Sequence, residues 1–148
     1  MKEIISRSPG ETEDAGRALA EAVKAAAKKE YVALYGELGA GKTAFVRGFV
    51  SVLSPGSRVK SPTYTIVNEY RRGEVPVFHF DFYRTGSEED FIALGFCEYI
   101  DSGICISEWS ELIPGEIFET IPDPVTVRID KISESERKIS IDGADIDL

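Results

Sequence analysis

The chain has 148 residues, 43% of them hydrophobic and 29% charged, the size and balance of one compact domain spanning residues 1–148. Folding at that length hides roughly two-thirds of the unfolded chain's surface, so neither disulfides nor structural metals are needed to hold a core. Acidic residues outnumber basic ones 26 to 17, and the formal charge of −9 repels polyphosphate backbones at long range, so any dealing with RNA is expected to be indirect.

The longest mostly apolar stretch, residues 18–27, is broken by Glu21 and Lys24 and falls short of the ~20 apolar residues of a membrane span. Met1-Lys2-Glu3-Ile4-Ile5 lacks the basic region and apolar core of an export signal, so a cytoplasmic location is expected, with no membrane contact. Cys97 and Cys105 match no CxxC spacing and are expected to be ordinary buried thiols.

Residues 4–6 suit a short strand ahead of a turn at Ser8-Pro9-Gly10. Between residues 11 and 28, Ala15, Ala18, Leu19, Ala22, Val23 and Ala26 recur at helical spacing, with Ser8 or Thr12 as cap. Residues 31–35 form an apolar run ending in glycine, the pattern of a buried strand, and a second helix is expected over 42–53, stopped by Ser54-Pro55-Gly56. The β-rich runs 65–70 and 75–82, joined through Arg72-Gly73, predict an antiparallel hairpin. Ser87 can cap a helix that starts at Glu88-Glu89-Asp90 and runs past Leu94. Residues 104–107 read as another strand after a turn at Asp101-Ser102-Gly103, and the alternating runs 125–129 and 138–141 as a half-exposed terminal hairpin. The sum is an α/β fold with a mixed sheet.

Gly36-Glu37-Leu38-Gly39-Ala40-Gly41-Lys42-Thr43 fits GxxxxGK[ST] at every fixed position, between a buried strand and an amphipathic helix. Glycines let successive backbone N–H groups converge on an anion, and the helix aims its positive end at the same place. Glu37, Leu38, Gly39, Ala40, Gly41, Lys42, Thr43 and Ala44 are therefore expected to contact nucleotide, with Lys42 on the β- and γ-phosphates and the Thr43 hydroxyl on Mg²⁺. A plain glycine turn would not explain a lysine in the first turn of a helix, where a cation opposes the dipole. Gly39, Gly41 and Ala44 also satisfy GxGxxA, but the carboxylate that a dinucleotide site wants ~20 residues on is missing around residues 59–62.

Asp81 and Glu108 each end an apolar strand, the place from which carboxylates steady a triphosphate-bound Mg²⁺. Ser61-Pro62-Thr63-Tyr64-Thr65 is a polar, proline-marked loop suited either to a switch threonine or to a plain turn. His79, the sole histidine, reads as a core residue or a base. Trp109 reads as a stacking platform or packing, and Arg84 as a phosphate contact or a partner of Asp81.

In order and spacing, GELGAGKTAFVRGF (36–49), SPTYTIVNEY (61–70), HFDFYR (79–84), the acidic helix leading into GFCEYI (87–100) and SEW (107–109) resemble the bacterial TsaE (YjeE) ATPases of tRNA threonylcarbamoyladenosine biosynthesis. The resemblance implies a P-loop NTPase-like three-layer fold whose central sheet is mixed and mainly parallel; the C-terminal β-hairpin rests on the alternating pattern alone. The resemblance also implies weak hydrolysis of ATP to ADP with Mg²⁺, and work alongside the partner proteins TsaD and TsaB on adenosine 37 of tRNAs. Carried over by position, Lys42 binds phosphate, Thr43, Asp81 and Glu108 hold the metal, Thr63 is the switch threonine and Trp109 lies near the nucleotide. Ala44 departs from the second threonine of many relatives, which leaves the metal-binding hydroxyl of Thr43 in place.

Three other functions are less well served. A small-molecule kinase needs an arginine-bearing lid, for which the short chain after Trp109 leaves little material, and acceptor-dependent release of ADP would reveal one. A nucleotide-gated interaction module would keep its function after Glu108→Ala. A GTPase lacks its guanine-reading [NT]KxD motif.

Overall fold

The computed structural model describes residues 1–37, 39–60, 67–83 and 87–143. Among them run β1 (Lys2–Ser6), α1 (Pro9–Ala26), β2 (Tyr31–Tyr35), α2 (Lys42–Leu53), β3 (Val67–Tyr70) and β4 (Val77–Asp81). There follow α3 (Glu88–Leu94), α4 (Phe96–Ser102), β5 (Ile104–Glu108), a 3₁₀ turn (Ser110–Leu112), α5 (Gly115–Phe118), β6 (Val125–Lys131) and β7 (Arg137–Asp142). The strands form one sheet in the order β1-β7-β6-β2-β5-β4-β3. The central four, β6, β2, β5 and β4, are parallel, while β3, β7 and β1 are antiparallel additions at the flanks.

Strand period decides the layers. Along β2, Val32 and Leu34 point into one apolar cluster with Leu19, Phe45 and Phe49 of α1 and α2. Tyr31 and Ala33 point the other way, into an aromatic cluster with Phe80, Phe91 and Phe96. Helices therefore cover both faces, and β2 is buried on each, which is why its sequence is apolar throughout rather than alternating.

Local chemistry sets the helix ends. Ser8 caps α1, its Oγ accepting from the Glu11 N–H at 3.1 Å, and Pro9 opens the helix. Thr12, the alternative cap, lies buried within the helix with its hydroxyl 2.7 Å from that of Ser6. Ser87 and Asp90 form a reciprocal capping box at the start of α3. The helix does not run past Leu94: Gly95 takes φ 77° and stops it, and a second helix starts at Phe96. Asp101 and Ser102 close that second helix rather than forming a free turn.

The terminal hairpin forms as expected, β6 pairing antiparallel with β7, and β6 has a second neighbour besides. Its first strand, β6, is paired in parallel with β2 beside the phosphate loop and buries Val125, Val127 and Ile129. It is a central strand whose exposure alternates as its sequence does, with Arg128 and the polar residues at its end facing outward. The two cysteines do not both follow expectation. Cys105 is buried, and desolvation pushes its thiol up to about 12, but Cys97 is exposed on α4.

α1 and α2 pack so closely that glycine is required at their crossing: a Cβ on Gly48 would lie 1.9 Å from the Glu13 carbonyl oxygen. Gly48→Ala is expected to force the helices apart and cost about 1–3 kcal/mol, read as a lower Tm in thermal unfolding. In native protein a thiol reagent should modify Cys97 alone, with Cys105 reacting only on unfolding, because its thiol stays protonated at ordinary pH.

Candidate functional site

The carboxyl ends of β2, β4 and β5 lie side by side, and each delivers one part of the site. β2 runs into the glycine loop, where the Ala40 N–H bonds to the Glu37 carbonyl at 3.1 Å. Gly41 caps α2 at φ 106°, a backbone that side chains rarely adopt, and so lets the chain turn from loop into helix at once. Lys42 is the first residue of α2 and only 5% exposed.

Its ammonium has two neighbours that stand out. The Gly36 carbonyl accepts from Nζ at 2.7 Å, and the Trp109 ring lies beneath Nζ with its centroid at 3.7 Å, a cation–π contact. Burial pulls the Lys42 pKa down, against the opposing fields of Glu111, Glu108 and Asp81. Trp109 is neither a remote packing residue nor a free platform. It sits at φ 59°, in the left-handed region, immediately after β5, and its ring also meets Tyr83 at 5.1 Å. A bulky residue in that backbone costs energy and persists only when its surroundings hold it. Here a buried hydroxyl chain does so: Tyr31 donates to Ser107 Oγ at 2.8 Å, and Ser107 Oγ lies 2.8 Å from Ser110 Oγ, spanning the turn.

Glu108 ends β5 buried, and Asp81 ends β4 opposite it in register. The two Glu108 oxygens have separate partners. Oε1 accepts from Thr43 Oγ1 at 3.4 Å, and Oε2 lies 2.6 Å from His79 Nε2. The ring and the carboxyl share one hydrogen bond through Nε2, and Nδ1 has no partner among the described residues. His79 is thus a fully buried positioning residue, part core and part site, that fixes the Glu108 carboxyl from behind. Asp81 is pushed above the ordinary carboxylate range, first by desolvation and also by Glu108, while the Tyr83 N–H at 3.0 Å opposes the shift.

Thr43, Asp81 and Glu108 therefore present hard oxygens within one small region next to a buried ammonium. No group of three or more His, Cys, Asp or Glu forms a cage among the described residues. This fits Mg²⁺, which is held through one or two carboxylates plus phosphate and water rather than by an all-protein cage. A divalent cation there would also relieve the field that raises Asp81. Thr63, Leu38 and Arg84 lie outside the described residues.

Two features escaped the sequence. Arg137, at the start of β7, donates from Nε to the Ala40 carbonyl at 3.0 Å and from Nη2 to Gly39 at 3.3 Å, propping the loop from outside. A cavity of about 400 Å³ adjoins the loop, lined by Arg7, Thr12, Gly39, Gly41, Ala44 and Arg137. The only sequence signal is a basic residue in the tail hairpin, and its meaning depends on β6 lying beside β2.

A strand, a GxxxxGKT loop and a helix, set in an open sheet whose neighbouring strand ends carry carboxylates, place the protein among the phosphate-loop α/β folds. Residues 6–139 match the family described as "Threonylcarbamoyl adenosine biosynthesis protein TsaE", and the chain belongs to that family. It is 36% identical over 144 residues to the tRNA threonylcarbamoyladenosine biosynthesis protein TsaE of Bacillus subtilis, covering 95% of this chain and 85% of that one. The Aquifex aeolicus protein of the same name is 34% identical over 143 residues, covering 95% and 96%. The crystal structure of Bacillus subtilis YdiB aligns with a TM-score of 0.73 at 30% identity, over 97% of this chain and 86% of that one.

His79→Leu should remove the hydrogen-bond partner of a buried carboxyl and lower stability by about 1–3 kcal/mol in denaturant unfolding, with His79→Gln recovering part of the loss. Equal stability of all three proteins would show that the contact holds nothing in place.

Proposed function

We propose that this chain is a Mg²⁺-dependent ATPase of low intrinsic rate that serves tRNA threonylcarbamoyladenosine modification together with TsaD and TsaB. The observation that carries the reading is the buried Lys42 ammonium at the head of α2, facing the carboxyl groups of Asp81 and Glu108. A cation at a helix's positive end is disfavoured twice, by the dipole and by burial, and a polyphosphate against the loop reverses both penalties. Lys42 and the backbone N–H groups of the loop would bind the β- and γ-phosphates. Thr43, Asp81 and Glu108 would hold the metal, which supplies further neutralisation of the triphosphate's charge. The cavity between the loop, Thr12 and Arg137 is the natural place for the nucleoside, since it opens directly off Gly39 and Gly41.

The chemistry asked of the chain's own residues is positioning and charge stabilisation. No strong base lies exposed among the described residues of the site, for His79 is sealed behind Glu108. The family's printed description supports the placement in threonylcarbamoyladenosine synthesis. The net charge of −9 supports an indirect relation to tRNA, through protein partners rather than by the chain's own binding. Among the described residues no helix is long and apolar enough to cross a membrane.

The decisive measurement is ATP turnover with and without TsaD, TsaB and tRNA. Turnover indifferent to all three would sink the partnership. Lys42→Ala should weaken ATP binding in calorimetry by roughly 10- to 150-fold, the worth of charged hydrogen bonds of about 1.5–3 kcal/mol. Because Trp109 is the only tryptophan and touches Nζ, MgATP should change its emission in the parent protein, and this response should be lost in Lys42→Ala.

A further inference from the structure

A second cavity, of about 530 Å³, lies at the opposite edge of the sheet, away from the glycine loop. The last turns of α1 and α2 form one bank and the β3–β4 turn the other. Val23, Val52, Leu53 and Val75 make an apolar floor. Lys24, Lys28, Lys29 and Arg72 line the rim, with Glu74 as the single acid among the lining residues.

That concentration of positive charge runs against the rest of the molecule. In a chain with 26 acidic and 17 basic residues, several cations elsewhere have acidic partners: Arg7 meets Glu136, Arg17 meets Glu13 and Asp14, Arg47 meets Glu13, Arg71 meets Glu69, and Lys138 meets Glu3. At this cavity Lys29 donates to the Asp101 carbonyl at 2.8 Å. Lys24, Lys28 and Arg72 have no carboxylate within 4.0 Å among the described residues. Charge compensation at the negative end of α1 accounts for a lysine such as Lys24 in its last turn. It does not account for an apolar hollow between two cationic banks. An apolar pocket ringed by polar groups is how protein interfaces seat an anchoring side chain, and its volume falls within the usual range of binding pockets.

We propose that this groove docks a short acidic segment of a partner protein, seating one aliphatic side chain of leucine type on the Val23–Leu53–Val75 floor while its carboxylates meet Lys24, Lys28 and Arg72. Nucleic acid is the poorer match. No aromatic side chain lines the cavity to stack a base, nucleic-acid interfaces are more polar than this floor, and the overall charge repels a polyphosphate. A short segment meets only the local positive field and brings its own apolar anchor. The site is remote from the phosphate loop, so its existence does not depend on the nucleotide reading.

The test is an amide NMR titration of the whole chain, without nucleotide, using a synthetic peptide of alternating glutamate and leucine as the probe. Hexaglutamate and a hexauridylate serve as controls. Saturable shifts are expected at residues 23–29, 52–55 and 72–75, with the glycine loop unmoved. Affinity should fall with salt, and by at least about tenfold in each of Lys28→Glu and Arg72→Glu, both at exposed positions where the fold is undisturbed. Three results would overturn the proposal: no shifts at those residues with millimolar peptide, unchanged affinity in both variants, or hexaglutamate binding as well as the leucine-bearing peptide. Tighter binding of hexauridylate would overturn it in favour of a nucleic-acid surface.

Discussion

Lys42 places a positive charge at the positive end of α2 and then buries it, two unfavourable placements in one residue. The groups that make this tolerable come from three parts of the chain. The Gly36 carbonyl follows β2, the Trp109 ring follows β5, and the fields of Glu111, Glu108 and Asp81 issue from the turn after β5 and the ends of β5 and β4. A strand order that separated β2, β5 and β4 would leave the ammonium stranded. The parallel centre of the sheet thus brings together the groups this lysine meets, while antiparallel β7 supports the loop from outside through Arg137.

Parts of this were written locally enough to read. Helix α2 spans the residues its flanking signals delimit, because a glycine loop before it and Ser54-Pro55-Gly56 after it are chemistry of adjacent residues. The Ser87–Asp90 box is local in the same way. The start of α3 is marked by its cap, but its end is set by the single glycine at position 95. What stayed hidden is what long-range pairing decides. The alternation of residues 125–129 announces a strand but not that its neighbour is β2, and from that neighbour follow the Arg137 prop beneath the loop and the cavity beside Thr12. His79 shows the same limit. An apolar strand carrying one histidine does not reveal that β5 sets a carboxyl 2.6 Å from its ring.

The candidate site divides between groups that line it and groups that hold them still. Thr43, Asp81 and Glu108 offer oxygens, while His79 holds the Glu108 carboxyl, the hydroxyl chain of Tyr31, Ser107 and Ser110 spans the turn that carries the indole, and Arg137 holds the loop carbonyls. Such supporting contacts tune geometry at a metal or phosphate site as much as the ligating groups do. The arrangement also explains why a polar ladder is tolerated between Tyr31 and Ser110 in an otherwise aromatic layer: each hydroxyl has a partner, so none is left unpaired in a dry interior.

The first strand of the chain has its pairing with β7, Ser6 lying opposite Arg137 and Lys2 opposite Ile141. On a ribosome, β1 therefore emerges long before the edge it must join exists, and α1 arrives with an unpaired strand leading it. Pairing strands so distant in sequence raises the contact order, the property that slows folding relative to helical proteins of similar size. During that interval β1 presents open backbone groups to any neighbouring strand, and its alternating charges, Lys2 and Glu3 ahead of two isoleucines, are what stands between a nascent chain and mispairing with its neighbours on a polysome.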